Sequence, residues 1–391
     1  MRIPARPIFR LAAVLAVAAP VVAAIPASGA DDGPGHGPDS ARPPSATAFT
    51  TVFTPPLAIE GLTGDSRGNL YSAGRGGDPC PVYRVPAGGG EAAVVGTIPA
   101  PCGPAGLTFG PDGRLYVADS GRVVVLRPDA VNPPAATVFA AGVPGANGLA
   151  FDRRGDLWVS DGTTGQGRVW RVGRDGVPAE AFRAQPMVNE VNLVNGVGGV
   201  GRDPRSAPPA TVTVTPTGRS AANTEGSQHL VANGLAFTRD GALIVADTAR
   251  GALWKVVLDH RGRLRTPTGC DTTFAPNTLC LDAVLVAHPL LEGVDGIVID
   301  RAGTVWGAVN ERNAVVTVGR DGRVAEYFRN AVDPATRLRN TGPMEFPTSP
   351  FLTGGRLCLT HSDGGRRDNF PNTGGEIGPQ LPGRGKISCV R

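Results

Sequence analysis

The chain has 391 residues, of which 41% are hydrophobic, and this composition is sufficient for the core of one large domain. Its 38 basic and 34 acidic residues give a formal net charge of +4, and nearly all of the positive charge is arginine. So mild a balance does not indicate a nucleic-acid-binding surface, and we expect no nucleic acid partner.

Residues 1–30 have the pattern of a secretory signal peptide. Three arginines precede an apolar run at 11–25, and the small residues Ser-Gly-Ala that follow offer a cleavage site. Pro20 interrupts the run, and no later segment is apolar for long enough to span a bilayer. We therefore predict a secreted protein that has no membrane partner after cleavage. Residues 31–45 are rich in Gly, Pro, Asp and Ser, and we predict that they are disordered.

One pattern occurs six times along the rest of the chain. Each copy is typical of a β-hairpin, with a Gly-Leu-x-Phe strand, a tight turn ending in glycine, and a strand such as Leu-Tyr-Val-Ala. Two further strands follow most hairpins, and helical periodicity is almost absent. The copies are IEGLTGDSRGNLYSAG from Ile59, PAGLTFGPDGRLYVAD from Pro104, ANGLAFDRRGDLWVSD from Ala146, ANGLAFTRDGALIVAD from Ala232, VDGIVIDRAGTVWGAV from Val294, and the degenerate PTSPFLTGGRLCLTH from Pro347.

Four antiparallel strands per copy predict an all-β fold, a six-bladed β-propeller. A strand pattern near Ala46 has no blade before it, whereas the sixth copy has only three strands, the last at 385–390. We predict that the N-terminal strand completes the sixth blade and closes the ring, which hides sheet edges that would otherwise be exposed. The predicted propeller covers residues 46–391, with a long surface loop inserted at about 188–230 that we interpret as a lid or binding feature.

Six cysteines follow the predicted signal peptide, an even number that favours structural disulfides in an oxidising compartment. Six cysteines allow fifteen connectivities, so only proximity along the chain selects a pairing. The pairs that proximity favours are Cys80 with Cys102, Cys270 with Cys280, and Cys358 with Cys389.

The residue that opens the first strand of each copy varies in a way that indicates a metal site. First strands of a propeller line the central channel, so symmetry would bring these openers together at one mouth. Two carboxylates and two amides suit Ca²⁺, although another divalent cation remains open. Zinc is less favoured, because no His or Cys is among the openers. The alternative for any single opener is a turn that leads into a strand. The oxygen-bearing openers are Glu60, Asn147, Asn233 and Asp295, and the other two are Ala105 and Thr348.

This set of openers resembles the SMP-30/gluconolactonase/LRE-like family of calcium-dependent six-bladed propeller hydrolases. The resemblance rests on Glu in the first copy, Asn in the third, Asn-Gly-Leu in the fourth and Asp-Gly in the fifth. It implies that Glu60, Asn233 and Asp295 bind the metal. It also implies that Asn147 is a metal ligand or a substrate-binding residue. The family's Asn-Asp-Gly motif is absent at Asn147, and no arginine matches the one that contacts sugar lactones, so a substrate other than gluconolactone is expected.

The resemblance implies that the protein hydrolyses a small-molecule lactone or related ester, and we expect a monomer. A bound cation would polarise the carbonyl, while a carboxylate would take a proton from the attacking water. Asp295 is the predicted base, because the family gives this aspartate a double role.

The last residue of each second strand is expected to form an outer rim around the mouth. His361 stands there in the sixth copy, and we predict it as a second catalytic group because histidine titrates near neutral pH. Its alternative role is a structural hydrogen-bond partner. Asp119, Asp161 and Asp247 recur at this position and are interpreted as turn caps. An aromatic row inside the same strands is predicted to pack between blades: Tyr71, Tyr116, Trp158 and Trp306.

Two other kinds of propeller remain as alternatives. The segment GRLYVADSGRVVVL also resembles NHL repeats, which would make the protein a non-catalytic binding propeller. A strictosidine-synthase-like propeller would share the architecture without the metal site. Metal analysis separates these readings, because a protein that takes up no divalent cation would favour the scaffold.

Overall fold

The computed structural model describes residues 49–185 and 232–390, apart from residues 273, 363, 365–366, 370–374 and 379–383. The predicted signal peptide, the segment 31–45 and the whole of the predicted insertion at 188–230 therefore lie outside the described residues. No helix in the described ranges is long and apolar enough to cross a membrane.

Six antiparallel four-stranded sheets form the blades of the propeller that the repeats predict. The strands of blades one to three are β2 (Thr63–Gly64), β3 (Leu70–Ala73), β4 (Cys80–Val85) and β5 (Ala93–Ile98); β6 (Pro104–Phe109), β7 (Leu115–Asp119), β8 (Arg122–Leu126) and β9 (Thr137–Ala141); and β10 (Ala146–Phe151), β11 (Leu157–Asp161), β12 (Arg168–Val172) and β13 (Pro178–Arg183).

The second half of the ring repeats this order. Blades four and five contain β14 (Leu235–Phe237), β15 (Leu243–Asp247), β16 (Ala252–Val256) and β17 (Val284–Ala287); and β18 (Val294–Ile299), β19 (Val305–Val309), β20 (Ala314–Val318) and β21 (Val324–Arg329). Blade six contains β22 (Pro347–Thr353), β23 (Arg356–His361), β24 (Lys386–Val390) and the N-terminal β1 (Thr50–Phe53). Four short 3₁₀ helices also occur within the described residues: Leu281–Ala283, Pro289–Leu291, Asn310–Arg312 and Arg367–Asn369.

The predicted closure of the ring is confirmed. Strand β1 pairs with β24, with Thr50 opposite Cys389 and Phe53 opposite Ile387, and so becomes the outermost strand of blade six. All three disulfides join the pairs that proximity favoured: Cys80–Cys102, Cys270–Cys280 and Cys358–Cys389.

Aromatic residues of the second strands pack between blades, as predicted. Trp158 is 1% exposed, and its ring lies 6.1 Å from that of Phe237 in the next blade. Its Nε1 donates to Asp152 Oδ2 at 3.1 Å, so the aspartate of the hairpin turn also holds the ring in place. Asp300 accepts from Trp306 Nε1 in the same way. One short turn motif thus shapes the hairpin and fixes its packing.

A glycine follows five of the six openers because neighbouring blades touch at that point. A Cβ atom at Gly234 would lie 2.5 Å from the carbonyl oxygen of Asp295, the opener of the next blade. Gly296 meets the carbonyl oxygen of Thr348 at the same distance, and the contacts at the other three glycines are closer still. Any larger residue would push the first strands apart, so the shared glycine sets the width of the channel.

Candidate functional site

The four oxygen-bearing openers lie together at one end of the central channel. Glu60, Asn147, Asn233 and Asp295 line a narrow cavity of about 70 Å³ inside the channel and a wider one of about 370 Å³ at its mouth. Asn147 Nδ2 donates to Glu60 Oε1 at 3.2 Å, although the two residues belong to different blades. The openers therefore form the junction between the two cavities.

Charge at this junction comes from two carboxylates, and the other two side chains are neutral amides. No group of three or more His, Cys, Asp or Glu side chains that could hold a metal ion occurs in the described part of the chain. Any metal held here would be bound by carboxylate and amide oxygens, the donor set of a hard cation such as Ca²⁺.

Asp295 is the most strongly perturbed acid of the site. It is only 6% exposed, and burial together with the nearby charge of Glu60 raises its pKa well above the usual aspartate value. Asn310 Nδ2 donates to Asp295 Oδ2 at 2.9 Å, and this hydrogen bond opposes the rise. A buried carboxylate beside a second, half-buried one makes a site that favours a shared proton or a cation.

Asn233 presents an oxygen that has no hydrogen-bond partner. The residue is 1% exposed, and its Nδ2 donates to Thr248 Oγ1 at 3.1 Å. Thr248 Oγ1 in turn donates to the carbonyl oxygen of Val294 at 2.6 Å, which fixes the orientation of the amide. Asn233 Oδ1 is buried and unpaired. An unpaired buried acceptor costs about 1–3 kcal/mol, so coordination of a cation would suit this atom.

A second set of residues at the site was missed in the sequence. Arg75, Thr248 and Asn310 each lie 15 residues after an opener and bond to its side chain. The Arg75 guanidinium pairs with Glu60 Oε2, and the Arg75 side chain is 43% exposed. The sequence does carry a signal for these residues, because they occupy one shared position in the aligned repeats, directly after the predicted rim residue. This partner column consists of Arg75, Ser120, Gly162, Thr248, Asn310 and Ser362.

His361 is not brought to this site. It is fully buried, its Nδ1 accepts from the backbone N–H of Glu345 at 3.1 Å, and its Nε2 lies 2.7 Å from Ser388 Oγ. Burial, with the charge of Lys386, lowers its pKa well below the usual histidine value. It is not among the residues that line the two cavities at the openers. These contacts match the structural alternative, so we do not include His361 in the proposed catalytic machinery.

The three rim aspartates are buried, and the carboxylate of each accepts a hydrogen bond from a backbone N–H group. Asp161 Oδ1 accepts from the backbone N–H of Thr164 at 3.0 Å, and Asp247 Oδ1 does the same for Arg250 at 2.9 Å. Asp119 Oδ1 accepts from the backbone N–H of Gly103 at 2.6 Å. Asp161 and Asp247 thus cap the turns that follow their strands, as predicted, whereas Asp119 instead ties the end of its strand to the segment before the first strand of the blade.

Replacing His361 with Gln is expected to flatten the acid side of the stability profile. The unfolded histidine gains a proton below about pH 6.5, whereas the native ring, with its lowered pKa, resists protonation. The contribution of His361 to the free energy of unfolding is therefore at its maximum above about pH 6.5. Below that pH it falls by up to about 1.4 kcal/mol per pH unit. Urea denaturation at several pH values measures the slope. The exposed His260→Gln variant should keep the wild-type slope, and an unchanged slope in His361→Gln would contradict this account.

Comparison with known families gives one match, which covers part of the chain. The model of the SMP-30/Gluconolactonase/LRE-like region matches residues 192–339. The resemblance to this family is confirmed. Within the described residues the match covers blades four and five, which carry Asn233 and Asp295, whereas Glu60 and Asn147 lie outside it. The SMP-30/gluconolactonase/LRE-like likeness of the other blades therefore rests on the repeat and on the shared position of the openers.

Solved structures of similar fold align with most of this chain at low sequence identity. The calcium-binding protein regucalcin from Agrobacterium tumefaciens is 17% identical, with 88% of this chain and 95% of that chain covered and a TM-score of 0.53. A candidate gluconolactonase is 15% identical, with coverage of 89% and 93% and a TM-score of 0.53. A PQQ-bound aldose sugar dehydrogenase from Streptomyces coelicolor is 16% identical, with coverage of 89% and 99% and the same TM-score. At these identities the likeness shows the fold alone. A search of curated proteins found no match.

Proposed function

We propose that this protein is a divalent-cation-dependent hydrolase that cleaves a small-molecule lactone or related ester at the channel mouth. The observation that carries the proposal is the convergence of Glu60, Asn147, Asn233 and Asp295 from four blades on one cavity. The match to the SMP-30/gluconolactonase/LRE-like family supports the reaction class. The cavity of about 370 Å³ is within the range of small-molecule sites.

The residues present fit a divalent cation. Asn233 supplies a buried oxygen without a partner, while Glu60 and Asp295 supply two negative charges that a divalent cation would balance. We assign Glu60, Asn233 and Asp295 as ligands, and Asn147 as a ligand or substrate-binding residue. Oxygen donors alone make Ca²⁺ the expected ion. When bound, the cation would polarise the carbonyl and stabilise the negative charge that develops on its oxygen.

Asp295 is the proposed general base. Asp295 lines both cavities at the openers, where the attacking water would stand, and its carboxylate would take a proton from that water. Asn310 holds one oxygen of the carboxylate through its side-chain amide and so fixes the plane of the group. We therefore assign Asn310 as a positioning residue.

A hydrolysis panel with and without chelator tests this function. Purified protein is assayed against γ- and δ-lactones and aryl esters after treatment with EDTA, and again after Ca²⁺ is added back. We expect the chelator to reduce turnover at least about 100-fold and Ca²⁺ to restore it, because carbonyl polarisation would be lost. Turnover that the chelator leaves unchanged would overturn the cation-dependent mechanism. A protein that neither turns over any substrate nor takes up a cation would instead be a binding propeller of the NHL type.

We also propose that the protein acts outside the cytoplasm as a secreted monomer. Three disulfides among the described residues fit an oxidising compartment, and no helix in those residues could anchor the chain in a membrane. N-terminal sequencing of the exported protein tests whether residues 1–30 are removed.

A further inference from the structure

We propose that Arg75 selects substrates that carry a carboxylate, and that Glu60 holds the Arg75 guanidinium whenever no divalent cation is bound. This role rests on the proposed function, because it assigns the substrate class of the same cavity.

Both carboxylate oxygens of Glu60 already bond to other side chains of the protein. Its Oε2 pairs with the Arg75 guanidinium, and its Oε1 accepts from Asn147 Nδ2 at 3.2 Å. The backbone of Glu60 is also fixed, since its carbonyl oxygen accepts from the hydroxyls of Thr348 and Thr360 at 2.7 and 2.5 Å. A cation that binds Glu60 would therefore compete with Arg75 and Asn147 for the carboxylate oxygens.

Arg75 is the side chain that can leave. It is 43% exposed, whereas the Glu60 side chain is 14% exposed. Two other members of the partner column that bond to openers behave differently, because Thr248 and Asn310 are neutral and at most 1% exposed. They bond to openers without bringing a charge that would compete with a cation. Arg75 alone within this column is both charged and free to swing into the wider cavity.

The charge of the cavity then depends on Arg75. Among the described residues that line the wider cavity, Arg75 is the only basic one. A divalent cation would balance Glu60 and Asp295, so the displaced guanidinium would be left without a counterion. The cavity would carry a net positive charge beside four neutral hydroxyl residues, Ser120, Thr163, Thr348 and Ser362. A carboxylate complements this arrangement because guanidinium binds it through two parallel hydrogen bonds.

Calcium affinity gives the first test, and it needs no substrate. Isothermal titration compares the wild type with Arg75→Gln, which removes the competing charge. We expect Arg75→Gln to bind Ca²⁺ about tenfold more tightly. Arg114→Gln is the matched control, because Arg114 is 42% exposed, pairs with Asp112, and lies in the hairpin turn of blade two. It should bind Ca²⁺ as the wild type does.

Substrate charge gives the second test. The ratio of kcat/KM for monophenyl succinate over that for phenyl acetate is measured for the same three proteins. We expect Arg75→Gln to lower this ratio about tenfold or more and Arg114→Gln to leave it unchanged. An unchanged ratio in Arg75→Gln would overturn the selection of carboxylates.

The outcomes separate this role from the proposed function. If the wild type binds Ca²⁺ and Arg75→Gln binds it no more tightly, the competition at Glu60 is overturned while the cation site stands. If neither protein binds Ca²⁺, both the cation site and the role of Arg75 fall. If only Arg75→Gln binds Ca²⁺, the competition is supported in its strongest form.

Discussion

Asp295→Asn is expected to reduce kcat for lactone or ester hydrolysis about 100-fold or more. The amide keeps the size of the side chain but cannot take a proton from water, and general base catalysis contributes about 10²–10⁴ in rate. Calcium binding should weaken as well, because one of the two charged donors is lost. Steady-state kinetics and calorimetric Ca²⁺ titration measure the two effects on one preparation.

The matched control is Asp300→Asn in the same blade. Asp300 directly follows strand β18, at the end away from Asp295, and accepts from the backbone of Thr304 and from Trp306 Nε1. It should leave kcat near the wild-type value, with only a modest loss of stability. An Asp295→Asn protein that is folded and hydrolyses its substrate at the wild-type rate would show that another group activates the water.

Lys386→Met is expected to lower the free energy of unfolding by about 3–5 kcal/mol. Lys386 is 1% exposed, and its Nζ donates to Glu345 Oε1 at 2.6 Å and to Glu376 Oε2 at 3.1 Å. Glu345 is itself 3% exposed, so loss of the ammonium leaves a buried carboxylate without a cation. Urea denaturation with the three disulfides intact measures the change.

The chain offers a close control, because Lys255 is its only other lysine and is exposed. Lys255→Met should change stability by no more than about 0.5 kcal/mol. The double variant Lys386→Met/Glu345→Gln should recover part of the loss, since it removes both charges of the pair. If Lys386→Met is as stable as Lys255→Met, the ion pair does not stabilise blade six.

The fold could be predicted because its information is local and repeated. Every blade carries the same hairpin, and glycine after the opener is needed wherever the next blade's carbonyl oxygen approaches. The closure by β1 was also predictable, since one strand pattern was left over at the N-terminal end and the sixth copy lacked its fourth strand. The segments without a repeat, such as the predicted insertion at 188–230, offered no such constraint.

The site could be predicted only in part. The openers share one position in the repeat, so symmetry alone placed Glu60 and Asp295 together. Arg75 was missed because its contact joins the two ends of one hairpin, and its column holds five residue types in the six blades. His361 was expected at an accessible rim, but its surroundings come from Glu345 and Lys386, whose positions no repeat encodes.

The closing strand has a mechanical consequence. The chain enters β1 at Thr50, which lies opposite Cys389, one residue before β24 ends. Tension applied across the two ends of the domain would therefore break the hydrogen bonds between β1 and β24 one after another, rather than load all of them at the same time. The next strand is held differently, because the Cys358–Cys389 disulfide ties β24 covalently to β23. Such tension would detach β1 alone, and the disulfide would then resist the separation of β24 from β23.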